Sequence, residues 1–440
     1  MKRIIGLAAL VGIYSLSSYY LGSTAEHQIK DYLAKEANTL ERLGYKASIQ
    51  NYDRGFFTSR ATLVIEDSYA SVTATLHSRI THGPILGAQG IGAVALTSEV
   101  ELAFPDEEVQ RYLAKADDYL SIKSRLGFTG NFKQVVQVNP ISRASANYEV
   151  EFAGASLTIK GNLSEKGVSV TGEAGEISFT DGASKIQMSG AKLNSTFQPA
   201  SEITQLQNGE LVIPSLVFTE STFGQTVTLN NMRLSTAQTL NQDGVDSHVG
   251  WHVDLIDGVY PLKDVALDIR LNRVPLSVMD QSQELRGALA DSDDVVAELE
   301  EKLTALVQPL IDQSELKIDF SLNAFDGDAS VNSSIMLVKE PATLAELMEN
   351  FRDHIRAESR VRLSDKIVQG SPLGMLLQLS YANYFEVENN ALVLVAKVDQ
   401  GAITINGTPL DEHQSTDLDD DSFDHDHDHD HDHEQLNSMN

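Results

Sequence analysis

From Tyr45 onward, apolar and polar residues alternate with a period of two, and short pairs of turn-forming residues cut the alternation into runs. That period puts every second side chain on the same face of an extended chain, so it commits most of the sequence to strands. Leu316, Ile318, Phe320 and Leu322 alternate with Lys317, Asp319, Ser321 and Asn323. Val265, Leu267, Ile269 and Leu271 alternate in the same way with Ala266, Asp268, Arg270 and Asn272, and Val94, Leu96, Val100 and Leu102 line one side of a third run. Each run predicts a strand with one buried and one wet face. Between runs stand Lys166-Gly167, Asp181-Gly182, Asn208-Gly209, Asp243-Gly244, Asp257-Gly258, Asp326-Gly327 and Asn406-Gly407. Most of these pairs tolerate the positive φ of a tight hairpin turn, which predicts consecutive antiparallel hairpins.

Helical periodicity interrupts in few places. It is expected over Pro105–Leu120 and over Leu276–Ile311, where Leu299, Leu303, Leu306 and Leu310 share a face and Pro309 removes an amide donor. Two shorter helices are expected, one carrying Leu344, Leu347, Phe351 and Ile355, the other around Met375, Leu376 and Leu379. The fold class expected is mainly β with a few helices (α+β): one large twisted antiparallel sheet of consecutive hairpins, with helices packed on it. No fixed-period repeat announces a solenoid or propeller.

The first residues carry a different signal. Lys2 and Arg3 precede an uncharged stretch from Ile4 to Leu21, 18 residues long, at the lower edge of what spans the hydrocarbon core as a helix. Tyr19 and Tyr20 suit the outer interface, and the two cations place the start of the chain in the cytoplasm. Residues 1–22 are therefore expected to form a short cytoplasmic end and a single transmembrane anchor. Cleavage of a signal peptide near Ser23-Thr24-Ala25 is the competing reading. Ile29, Tyr32, Leu33, Ala37, Leu40 and Leu43 recur at helical spacing up to Gly44, which predicts a stalk helix over 23–44. Residues 45–410 then form a β-rich ectodomain on the periplasmic side of an inner membrane, and 411–440 a disordered tail.

Charge excludes one class of partner. With 33 Lys plus Arg against 63 Asp plus Glu, the net charge is -30, so a phosphate backbone would be repelled over most of the surface and no nucleic acid is expected. Zero cysteines remove disulfides, thiol catalysis and Cys-ligated metals together. Hydrophobic residues at 42% and charged residues at 22% fit a globular chain and not a polytopic membrane protein. From Asp411 to Asn440 there are 12 acidic residues and no Lys or Arg, a composition too polar to offset the entropy of ordering.

Candidate chemistry is sparse. In the tail, His425, His427, His429, His431 and His433 alternate with aspartates, and imidazoles so spaced can converge weakly on zinc or nickel. The bland reading is a hydrated low-complexity repeat, and no other cofactor is expected. Gly90-Ile91-Gly92-Ala93-Val94-Ala95 matches a dinucleotide fingerprint in letters, but an alternating strand pattern follows where a helix is needed. His82-Gly83-Pro84, His252 with Asp254, and Trp251 could each be drawn into a site, and each is more simply structural. No nucleophile elbow, H-E-x-x-H pair or phosphate-binding loop is present.

One set of motifs resembles a known family. Tyr52-Asp53-Arg54-Gly55-Phe56-Phe57-Thr58-Ser59 looks like the first-hairpin signature of the YdgA/YihF-like proteins of Gram-negative bacteria, with Tyr52, Arg54, Gly55, Phe56, Phe57 and Ser59 as its marks. His82, Gly83 and Pro84, the strand Ser124–Gly130, the segment Leu337–Thr343, and a closing Gly401–Gly407 with Asn406 and Gly407 follow in the family's order. The resemblance implies an inner-membrane anchor, a periplasmic ectodomain and self-association into homo-oligomers, and it implies no catalytic residues.

Two functions compete on this reading. The favoured one is a non-catalytic envelope protein whose sheet offers an apolar face to a lipid or an envelope protein. The alternative is a periplasmic hydrolase or transferase using a carboxylate site, for which Asp and Glu supply material but no spacing; metal buffering by the tail would be accessory.

Overall fold

The computed structural model describes residues 45–410, apart from 54–57, 68–71, 83–85, 87–88, 90–91, 93, 104–119, 145–147, 163–166, 202–203, 221–223, 290–302, 342, 373 and 375–383. Within these residues the chain forms 24 strands: β1 Tyr45–Asp53, β2 Thr58–Asp67, β3 Val72–His82, β4 Val94–Ala103, β5 Leu120–Leu126, β6 Asn131–Val138, β7 Ile141–Ala144, β8 Glu149–Phe152, β9 Ala155–Asn162, β10 Val168–Ala174, β11 Ile177–Thr180, β12 Ser184–Met188, β13 Ala191–Pro199, β14 Gln205–Glu220, β15 Gln225–Asn241, β16 Gly244–Asp257, β17 Leu262–Val274, β18 Glu315–Ala324, β19 Gly327–Leu337, β20 Ile355–Ser364, β21 Glu386–Glu388, β22 Ala391–Asp399, β23 Ala402–Ile405 and β24 Thr408–Pro409. All belong to one sheet and every pairing is antiparallel. The mainly β class with few helices and a large antiparallel sheet is therefore what the chain adopts.

The sheet is a meander. β1 to β6 pair in sequence, β6 pairs β9, β9 pairs β10, β10 pairs β13, and β13 to β20 again pair in sequence before β20 meets β22. A second path, β7–β8–β11–β12–β14, continues the same long strands beyond a break. The breaks line up at Asn139-Pro140, Ala153-Gly154, Gly175-Glu176 and Ser189-Gly190. Backbone bonds cross them, from the Ala153 amide to the Glu176 carbonyl at 2.8 Å and from the Ser189 amide to the Ser215 carbonyl at 3.0 Å. The line continues through Pro214, Asn231 (φ 53°) and Asp264 (φ 48°). Proline without an amide and residues in the left-handed region are what a bend across many strands requires.

Turn chemistry explains the connections. Phe325-Asp326, Asn389-Asn390, Gln400-Gly401 and Asn406-Gly407 each have positive φ at both positions, the tight hairpin geometry that matches strand twist. Three expected turns differ, one of them Asp243-Gly244, where Gly244 already begins β16. Asn208-Gly209 lies inside β14, where the Asn208 carboxamide oxygen accepts the Gln238 amide at 2.9 Å. The glycine is there for space, since a Cβ would sit 2.8 Å from the Asn194 carbonyl oxygen and 2.7 Å from Ser195 Oγ. In the Asp326-Gly327 pair it is Asp326 that turns while Gly327 begins β19.

The helices are shorter than expected. Leu276–Leu289 is helical, residues 303–307 are helical again, and a single 3₁₀ turn at Gln308–Leu310 ends that segment at Pro309. Leu344–Glu349 is capped by Thr343, whose hydroxyl accepts the Glu346 amide at 3.0 Å. Phe351–His354 follows, but Ile355 opens β20, so the expected helix stops one residue before it. The cause is register: Ile355 pairs with Leu337 on β19. A further helix, Asp365–Gly370, precedes the segment around Met375, which lies outside the described residues, as do 1–44, 105–119 and the tail. Leu120, the expected end of the helix from Pro105, is the first residue of β5. Among the described residues no helix is long and apolar enough to cross a membrane, and Ile4–Leu21 falls outside them.

Candidate functional site

Following cross-strand partners across the meander yields one continuous row of side chains. It runs Tyr52, Ala61, Ser78, Ser98, Ile122, Val136, Leu157, Gly172, Leu193 and Leu211, then Leu234, Trp251, Leu267, Phe320, Val331, Val361 and Leu394. Directly opposed residues share a face, so one face of the sheet is apolar almost from end to end. Parallel rows repeat the pattern, as in Val249, Ile269 and Ile318. Beyond the bend the apolar partners resume one residue out of phase, Leu216 with Leu229, Ile256 and Leu262. An inserted residue in each strand keeps them on the same face.

The two halves of this face differ in burial. In β1–β10 it is a packed core: Leu63, Leu76, Ile80, Leu96, Val100 and Ile122 are all 0–1% exposed. In β12–β18 the same face is partly open among the described residues, with Phe218 at 42%, Leu234 at 38%, Val249 at 47% and Leu271 at 38% exposed, while the row next to the bend, Ile213, Val253 and Val265, is buried. Ile186 and Phe218, cross-strand partners on β12 and β14, extend it. The row from Leu211 to Leu394 crosses eight strands, about 34 Å at the usual ~4.8 Å strand spacing. Contiguous apolar surface of this extent marks a binding site or a contact with an apolar phase.

The opposite face is polar and internally paired. His248 Nε2 lies 2.5 Å from Asp268 Oδ1, Arg270 reaches Asp319 at 3.0 Å, Asn332 donates to Asp319 at 2.8 Å, and Lys397 meets Glu358 at 3.1 Å. His252 Nε2 sits 2.9 Å from Asp254 Oδ1, and the Asn231 carboxamide donates to Asp254 Oδ2 at 2.6 Å. The Asn231 donation, outweighing the opposing effect of burial and helped by His252, holds the Asp254 carboxyl below its usual range. Both His–Asp pairs are a third or more exposed on a sheet surface. Asp319, Asp268 and Glu358 are each spoken for by a cation, an imidazole or an amide.

Elsewhere, Asp280 on the helix Leu276–Leu289 accepts hydroxyl bonds from Ser201 at 2.6 Å and Thr204 at 2.5 Å. Those bonds, Ser201 first, hold its carboxyl below the usual range and tie the helix to the loop before β14. A cavity beside the bend is lined by Glu149, Glu151, Glu176 and Lys185 together with Pro140 and Phe152. Among the described residues no group of three or more His, Asp or Glu is placed to hold a metal.

The expected site residues separate. Tyr52 lies on β1 with its hydroxyl buried and without a hydrogen-bond partner among the described residues, and Ser59 on β2 is 1% exposed. Arg54, Gly55, Phe56 and Phe57 lie outside the described residues, as do Gly83, Pro84 and the five tail histidines. His82 is the last residue of β3. Asn406 and Gly407 form the β23–β24 turn; the Asn406 carboxamide accepts the Val395 amide at 2.7 Å and donates to the Tyr384 carbonyl at 3.0 Å. Ser124–Gly130 is a strand only to Leu126, then a turn with Gly130 at φ 82°. After Gly92, at the dinucleotide-like letters, the strand β4 follows.

Sequence reading passed over Gln134, 1% exposed on β6, whose carboxamide nitrogen and oxygen both lack a partner among the described residues, and over its cross-strand partner Ser124, whose hydroxyl also lacks one. The signal was present: each occupies an apolar slot, Gln134 between Phe132 and Val136, Ser124 between Ile122 and Leu126. Nor did it single out the row through Trp251, although the alternation contains it.

Comparison with known proteins gives a family model over residues 1–413, described as "Bacterial protein of unknown function (DUF945)". The chain is also 23% identical over 194 residues to the protein YdgA of Escherichia coli (strain K12), an alignment covering 39% of this chain and 38% of that protein. No solved structure matches it.

Proposed function

The chain belongs to the DUF945 family of bacterial proteins, and from that premise we propose that it is a non-catalytic cell-envelope protein that holds the acyl chains of lipids against the open apolar half of its sheet. One observation carries this: the continuous apolar face that is packed shut in β1–β10 and half-exposed from β12 to β18. The occupant is lipid on grounds of shape and chemistry. The open part of the row, from Leu211 on β14 to Phe320 on β18, crosses about 19 Å with side chains that are apolar apart from the Trp251 indole N–H, a stretch that extended acyl chains can follow. An anchor in residues 4–21, with the sheet on the periplasmic side of the inner membrane, supplies the lipid source in this reading.

The single Trp251 sits in the middle of the open row, which makes the test direct. In vesicles containing brominated acyl chains, Trp251 fluorescence should be quenched, and Leu234→Asp with Leu267→Asp should relieve the quenching. Purified protein should carry extractable lipid. Absence of both quenching and lipid would sink the proposal, and copurification of an envelope protein on the same face would replace lipid with that partner.

A further inference from the structure

The ion pairs of the polar face in β17–β22 have no counterpart over the other half of the sheet. On the reverse of the packed core, two neighbouring cross-strand rows collect exposed cations. One takes in Arg60, Arg79 and Lys123, with Thr97 between the last two. The next sets Arg125, Lys133 and Lys160 directly opposite one another. From β2 to β10 neither row contains a carboxylate; Asp53 on β1, opposite Arg60, closes the first at its edge, and Glu99 and Glu173 stand in the adjoining row. Arg60, Arg79, Lys123, Lys133 and Lys160 make no ion pair with a described residue, whereas Arg270, Arg356, Arg360 and Lys397 each meet a carboxylate. Like charges directly opposed across strands are destabilising, and the chain has 63 acidic residues against 33 basic from which to build neutral rows. Repulsion kept on so acidic a molecule points to an anion from outside that offsets it.

We infer that this basic face of β2–β9 docks on the phosphate headgroups of an anionic lipid leaflet. The inference rests on the membrane placement proposed above and adds which side of the sheet meets the surface. The cations extend over six adjacent strands, about 24 Å at the usual spacing, too wide for one small anion and matched to a plane of many phosphates. Each Lys or Arg near an anionic surface adds attraction, and the sum is screened by salt. The rest of the molecule is strongly acidic and is repelled by the same surface, so the charge distribution also orients the sheet. Because the cations lie on the reverse of the core, docking through them leaves the apolar face of β12–β18 uncovered for acyl chains.

The test uses the full-length chain in nanodiscs of phosphatidylcholine with and without phosphatidylglycerol, and reads the rates of reductive methylation of Lys123, Lys133 and Lys160 by mass spectrometry. Phosphatidylglycerol should slow all three about fivefold and raised salt should restore them, while Lys317 on β18, already bridged to Glu315 at 3.2 Å, should not change. Arg79→Ser with Lys160→Ser should return Lys123 and Lys133 to their rates in phosphatidylcholine. The thermal midpoint of that double variant should hold or rise, because like-charge repulsion has been removed. Equal rates in the two discs, protection that salt leaves intact, or a collapse of the midpoint would each overturn the assignment. So would protection already present in phosphatidylcholine and lost on deleting residues 411–440, which would give the face to the acidic tail. Trp251 quenching by brominated chains in the same discs keeps the two proposals apart: quenching without lysine protection removes the basic docking face and leaves the acyl-binding face standing.

Discussion

Two leucine-sized positions on one face show how burial separates the halves of the sheet. Ile122 is 0% exposed and Leu234 is 38% exposed, although both lie on the same cross-strand row. Ile122→Ala should cost about 2–5 kcal/mol in urea unfolding, as core truncations do, while Leu234→Ala should cost within about 1 kcal/mol. Equal losses would mean that the second face is covered. Asp280 gives a pH-dependent counterpart. Its folded carboxyl titrates below the ordinary 3.8, so the Ser201 and Thr204 bonds contribute fully above that value and are lost as pH falls through the lower folded one. The stability gap between wild type and Asp280→Asn should therefore persist at neutral pH and close below about pH 4, read from urea midpoints across an acid series. A gap independent of pH would place the effect in packing.

At the scale of the element, glycines divide into those needed for conformation and those needed for space. Gly407 has φ 79° and nothing within 4 Å of a Cβ, whereas Gly209 has ordinary strand geometry and a backbone oxygen 2.8 Å away. Gly407→Ala should cost about 1 kcal/mol through backbone strain alone. Gly209→Ala should cost about 1–3 kcal/mol by forcing β13 from β14, and Ser195→Gly should relieve part of that loss but leave Gly407→Ala untouched, as a double-mutant cycle would show. Additivity between Gly209→Ala and Ser195→Gly would refute the steric account. Gly209 also explains a misread turn: Asn-Gly is a hairpin pair by its letters, yet a strand glycine can serve close packing, and only the neighbouring strand tells them apart.

For the molecule as a whole, the meander places sequence neighbours side by side, which lets one apolar face extend from Tyr52 to Leu394 without a crossover. The ion pairs of the opposite face bind no part of that surface. Deleting residues 411–440 should leave the thermal midpoint unchanged, since so polar a segment buries little apolar area on folding. Exchanging His425, His427, His429, His431 and His433 for Asn should abolish retention on an immobilised nickel column without changing that midpoint. A fall in midpoint on deletion would show the tail docked against the sheet.

The alternation of Leu316 to Leu322 and of Val265 to Leu271 determined strands, and pairs such as Asp181-Gly182 and Asn406-Gly407 determined turns, because both depend on residues adjacent in the chain. The polar letters in the apolar slots at Ser124 and Gln134 were legible for the same reason. What no local pattern carries is which apolar face finds a cover. Leu76 and Leu234 read alike in sequence, yet Leu76 lies in the buried cluster of β1–β10 at 0% exposure and Leu234 on β15 stays 38% exposed. Ile355 likewise has helical spacing from Phe351, but its pairing with Leu337 offers a ladder position that the helix cannot match. Local periodicity fixes which side of a strand is apolar; the free energy of covering it belongs to contacts between residues far apart in the chain, and those exist only in the folded sheet.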